Sequence, residues 1–169
     1  SMTAPISEEQ FLETPESELT YNLYDALLKH YQEKTEHNAQ MAFPVIKDVY
    51  ERPGNKFERI VVPFTDGVKS LNVVTNLKEA YESKGKHLIE DFERNITLAI
   101  IDEAWKDHLR KMDELKQSVQ LAVHEQKDPL LIYKFEAFEL FKNMLSQLNK
   151  EVLSFLIKGS LPSQSPSSI

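Results

Sequence analysis

The chain has 169 residues, of which 41% are hydrophobic and 28% charged, with a formal net charge of −7. That is enough apolar material for one or two small cores, and the acidic balance argues against a polyanion-binding surface, because nucleic-acid domains carry basic patches that release counterions. There is no cysteine, which excludes disulfides and thiolate metal sites; no run approaches the roughly 18 apolar residues that span a bilayer, and the N-terminus lacks a secretory signal pattern.

Ser1 ahead of Met2 reads as the remnant of a cleaved tag, and Met2 to Glu13 as a polar lead-in with a short helix at Ser7 to Leu12. Thr14-Pro15-Glu16 then offers a cap, a first-turn proline and early acids. Leu19, Leu23, Leu27 and Tyr31 follow at steps of four, so a helix is predicted from Pro15 to about Tyr50. Pro44 removes one amide donor from it and predicts a kink. Arg52-Pro53-Gly54-Asn55 ends it.

Phe57 to Phe64 and Val68 to Val74 are short, β-branched and joined by Thr65-Asp66-Gly67, the pattern of a two-stranded hairpin. Pro63 cannot donate to a ladder, which places its strand at an edge. A lone hairpin is marginal in water, so one face must lie on a helix. Asn76 can cap a helix from Leu77, and Ser83-Lys84-Gly85-Lys86 leaves open whether one helix or two reach Val119.

Ile96, Ile100, Ala104, His108, Met112, Leu115 and Val119 recur at steps of three and four and define one stripe of a long helix. Leu121 to Asp128 is a short polar connection, and Asp128-Pro129 supplies a cap and a first helical position for a second arm. In that arm Leu131, Phe138, Leu145 and Val152 repeat every seven residues, with Phe141, Leu148 and Phe155 offset by three, which predicts a seam for another helix. A short connection leaves the arms antiparallel. The fold class is therefore mostly α: a long helical hairpin, an N-terminal helix and a small β-hairpin. Beyond Gly159 the composition is that of a flexible tail, 159–169.

Chemistry is sparse. His124-Glu125 begins like a zinc-peptidase motif, but Asp128 stands where the second histidine would. His87, Glu90 and Asp91 share a helical face that could hold a divalent ion, though a solvated charged face accounts for them. Asn95-Ile96-Thr97 fits a glycosylation sequon in mid-helix. Trp105 and His108 share a face, as an interfacial Trp beside a hydrogen-bonded His or as a binding pair. Glu136 and Glu139 read as surface acids, and no glycine-rich phosphate loop is present.

The blocks IDEAWKDHL, MDELKQSVQ, EQKDPLLIYKFEAFELFKNML and VLSFLIKG, in this order, resemble the two-helix finger of the SecA preprotein translocase ATPase. The resemblance implies helical-wing material over residues 1–93, with a β-hairpin insertion near 57–74, and the scaffold finger over 94–158. It implies a finger tip at Val123, His124, Glu125, Gln126 and Lys127 that meets a SecY-type channel or preprotein, and a motor-facing contact at Trp105, His108 and Met112. His124 stands where the family often has a bulky aromatic. ATP and magnesium belong to motor domains whose motifs are not in this sequence, so no cofactor, metal or catalytic residue is expected here. The implied setting is cytoplasmic and peripheral to the plasma membrane, with the rest of the parent chain, the channel and preproteins as partners, no nucleic acid, and a homodimer compatible. Two other readings remain: a stand-alone adaptor docking a partner helix on Phe135, Phe138 or Leu156, and a metal enzyme built on His87.

Overall fold

A computed structural model describes residues 14–54, 56–121 and 128–162. Among them are four helices, α1 (Glu16–Glu51), α2 (Leu77–Glu82), α3 (Lys86–Leu121) and α4 (Pro129–Lys158), and two strands, β1 (Arg59–Thr65) and β2 (Ser70–Asn76). The chain divides into two units. One holds the described residues up to Glu58 with Asn76–Ile89; the other holds Arg59–Thr75 and the described residues from Glu90 onward. The predicted short helix at Ser7 to Leu12 lies outside the described residues.

In the first unit, α1 is 36 residues long and continues through Pro44, which makes it about 54 Å at 1.5 Å per residue. Its start differs from expectation. Pro15 is the N-cap, in extended conformation, rather than the first helical residue, and no side chain caps the end. Proline's fixed φ suits either position, and Glu16 and Glu18 in the first turn still complement the helix dipole. Asn38, Ala39, Ala42 and Ile46 form the buried stripe of α1, with Leu77, Ala80 and Leu88 also buried in this unit.

The small residues let backbones approach. At Gly85, φ is +88°, and a Cβ there would stand 2.6 Å from the Ala39 carbonyl oxygen. Only glycine satisfies both conditions, and with Lys84 also at positive φ the turn divides the segment into two helices. Asn76 Oδ1 accepts from the amides of Lys78 and Glu79 at 3.0 and 3.1 Å, the predicted cap. Tyr81 stacks on Tyr50 with ring centres 4.2 Å apart, and its hydroxyl donates to Glu51 at 2.7 Å.

In the second unit the hairpin exists with its strands shifted about two residues toward the C-terminus of the predicted spans. Ile60, Val62 and Phe64 alternate inward with Val61 and Pro63 outward on β1, as Leu71, Val73 and Thr75 do on β2. The turn is built by Asp66, whose Oδ1 accepts from the amides of Val68 and Lys69 at 2.9 and 2.7 Å. These bonds hold the Asp66 carboxyl below its ordinary pKa. The sheet has two strands, so β1 with Pro63 is an edge.

Candidate functional site

Helix α3 presents the predicted stripe. Ile96, Ile100, His108 and Val119 are buried, and Ala104, Met112 and Leu115 are half-buried. Helix α4 starts at the predicted place: Asp128 Oδ1 accepts from the Leu130 amide at 2.9 Å, with Pro129 in the first turn. This one bond offsets part of the cost of the free amides at a helix start.

The seam on α4 is not where the heptad placed it. Leu131, Phe138 and Leu145 are exposed, Phe138 to 62%. The shielded face runs instead through Tyr133, Ala137, Leu140, Met144, Leu148 and Phe155, at steps of three, four and seven. The expected Phe155 and Leu148 do face inward, and Val152 is half-buried, while Phe141 is not. The helix is apolar over more than one face, so a seven-residue repeat alone could not choose between two stripes.

Of the three residues expected to meet a motor, His108 is 7% exposed, Met112 is half-buried and Trp105 is 47% exposed. The His108 ring lies 5.6 Å from Trp105 and 5.9 Å from Phe141 of α4, edge-on to the latter. Its Nδ1 is buried without a hydrogen-bond partner, so the hydrogen-bonded histidine expected from the sequence is not realised at that atom. Beside it, a cleft of about 350 Å³ opens between the arms, lined among others by Glu103, Asp107, Lys111, Met144, Gln147 and Glu151.

The charges of the cleft are paired. Lys111 donates to Asp107 at 2.7 Å and holds its carboxyl below the ordinary range. Lys69 reaches Glu103 at 3.7 Å and Glu151 at 3.9 Å. No convergent nucleophile and base stand among these groups, so the cleft supplies contact chemistry rather than a reacting centre. Elsewhere, His87 Nε2 pairs with Glu79 at 2.8 Å, a residue outside the trio considered for a metal, and Asp91 pairs with Arg94. Among the described residues no group of three His, Asp or Glu side chains is placed to hold a metal ion. Asn95 donates from Nδ2 to the Asp91 carbonyl at 2.7 Å in mid-helix. Glu139 pairs with Lys142 at 3.7 Å.

The tip residues Val123, His124, Glu125, Gln126 and Lys127 lie outside the described residues. The helix ends on either side of them, Leu121 and Pro129, are where the sequence placed the ends of the connection.

Sequence reasoning missed the cluster at the other end of the pair. Phe64 of β1, Phe92 of α3 and Phe155 of α4 are all buried, with ring centres 4.4 Å apart for the first pair and 6.3 Å for the second. Phe92 continues the 96, 100, 104, 108 stripe one turn earlier, so periodicity could have found it. Nothing local marks Phe64 as its partner.

The SecA wing and scaffold domain family matches residues 6–160 of this chain. The chain belongs to that family. It is 67% identical over 164 residues to the protein translocase subunit SecA of Flavobacterium psychrophilum, which covers 97% of this chain and 15% of the relative. The SecA subunit of Christiangramia forsetii is 66% identical over 169 residues, 100% of this chain and 15% of its own length. That of Bacteroides fragilis is 46% identical over 166 residues, again 15% of the relative. The chain thus spans about 15% of the length of these curated relatives. No solved structure matches it. The family match extends over α1 and the β-hairpin as well as the arms, and no described helix is long and apolar enough to cross a membrane.

Proposed function

We propose that α3 and α4 are the two-helix finger of a SecA-type motor, and that the connection at 123–127 is the tip that meets a SecY-type channel or a preprotein during export. The observation that carries this is the pair itself: two long helices, 36 and 30 residues, touch at Phe92–Phe155 and at His108–Phe141 and flank a short polar connection in the sequence. A long helix carries a displacement along its axis, so motion at one end of the pair reaches the other.

The motion originates in nucleotide-hydrolysing domains elsewhere in the full-length protein, where ATP and magnesium bind. This chain contributes no catalytic group; its part is mechanical. Trp105, on the exposed side of α3, and the exposed apolar residues Phe135 and Phe138 of α4 are surfaces for the rest of the parent chain. The wing comprises the region before residue 94. The protein works at the cytoplasmic face of the plasma membrane as a peripheral component, and a homodimer is compatible with this role.

The test is a photo-crosslinking residue at position 124 of the full-length protein, assembled with its membrane channel and a stalled preprotein. Cross-links to channel or preprotein are expected. Normal transport with no cross-link at 124 would overturn the tip assignment and leave the pair as scaffold or as a helix-docking adaptor.

A further inference from the structure

Residues 59–76 leave the chain and return to it at one place. The Leu77 amide donates to the Glu58 carbonyl at 2.9 Å, so the two strands form a detour whose ends lie side by side.

The detour touches both arms, at the end of the pair remote in sequence from the tip, in three ways. The Phe64 ring, fully buried, lies on Phe92 of α3, which lies next to Phe155 of α4. Thr65 exchanges two backbone hydrogen bonds with Ser160, each 2.9 Å, immediately after α4 ends. Lys69 stands between Glu103 of α3 and Glu151 of α4. The fit is tight at Gly159, where a Cβ would come within 3.0 Å of the Phe92 ring and 2.7 Å of the Phe155 carbonyl oxygen.

From this arrangement we infer that the hairpin is a brace on the root of the helix pair, fixing the separation and register of α3 and α4 so that the arms move as one body. Two packed helices by themselves can slide past each other by small shear displacements. A third element bonded to both opposes that slide. The three fixings are unequal. Burial of Phe64 removes a whole aromatic side chain from water and dominates. The backbone pair at Ser160 adds direction. The Lys69 contacts are long and exposed, so they contribute least. The purpose of the brace rests on reading the pair as a transmitting finger; the bracing itself does not.

The chain has no cysteine, so pairs of spin labels can be placed at will: Leu98→Cys with Leu153→Cys near the root, and Lys116→Cys with Lys134→Cys toward the tip. These are compared in the full chain and in a variant whose residues 59–75 are replaced by Gly-Ser-Gly. The expected result is retained helix content with a root-pair distance distribution broadened about twofold as the arms gain shear freedom. Phe64→Ala should broaden it less, and Lys69→Glu least. Unchanged widths in both the shortened chain and Phe64→Ala would overturn the inference; should the shortened chain not fold, Phe64→Ala decides. Failure here leaves cross-linking at position 124 untouched, and failure of that cross-linking leaves the measured widths untouched, so the two proposals fall separately.

Discussion

Two sets of three phenylalanines occupy the second unit and differ in fate. Phe64, Phe92 and Phe155 meet at the root and are buried; Phe135, Phe138 and Phe141 lie along α4 and are exposed, the first at 65%, with Phe141 alone of the three touching the His108 ring. Residue type does not separate them. What separates them is a third element: at the root, β1 brings Phe64 onto Phe92 of α3, which lies next to Phe155 of α4, while farther along α4 no third described element covers Phe135 and Phe138. A helix that is apolar on two faces has more apolar surface than one neighbour can cover.

The largest effect is expected at the root. Phe92→Ala should lower the unfolding free energy by about 3–5 kcal/mol, the usual cost of removing a buried aromatic ring, read by denaturant titration; a loss near zero would mean the cluster is not core. Asp128→Ala removes the cap of α4 and should cost about 1 kcal/mol by the same titration.

The hairpin turn gives a pH signature. The Asp66 carboxyl is held below its ordinary value of 3.8 by backbone donors, so it binds fewer protons folded than unfolded. Its contribution is fully present above the ordinary value and is lost as pH falls through the folded one. Amide exchange at Val68 and Lys69 should accelerate over that acid window, and Asp66→Ala should remove the change.

Thr75 is buried with an unpartnered hydroxyl, so Thr75→Val should be neutral or stabilising by up to about 1 kcal/mol, unlike most core substitutions. Phe138→Ser on the outer face should change the stability of this chain by less than about 0.5 kcal/mol. If, as proposed, the rest of the parent chain covers this face, the same substitution in the full-length protein should reduce transport. A large loss of stability in the isolated chain would show that α4's outer face is core after all.

The stripe of α3 was legible because that helix has one apolar face, and each of its seven predicted positions is shielded. Both caps, Asn76 and Asp128, were legible because capping is local chemistry. The seam of α4 was not, since two stripes of similar period compete and only the partner decides. The break at Gly85 was left open by sequence because the deciding contact, with Ala39 of α1, is distant in the chain. The hairpin's strands could be read from alternation, but not which helices Phe64 would cover. Of the site, the helix pair and the ends of its connection were visible, whereas the root that holds the pair was not.

On the proposed reading, α3 and α4 deliver motion to the segment 123–127. The most direct measurement replaces those five residues with Gly-Ser repeats in the full-length protein and follows preprotein transport and nucleotide hydrolysis together. Transport falling to background while hydrolysis continues is the predicted result. Transport at the unmodified rate would contradict it.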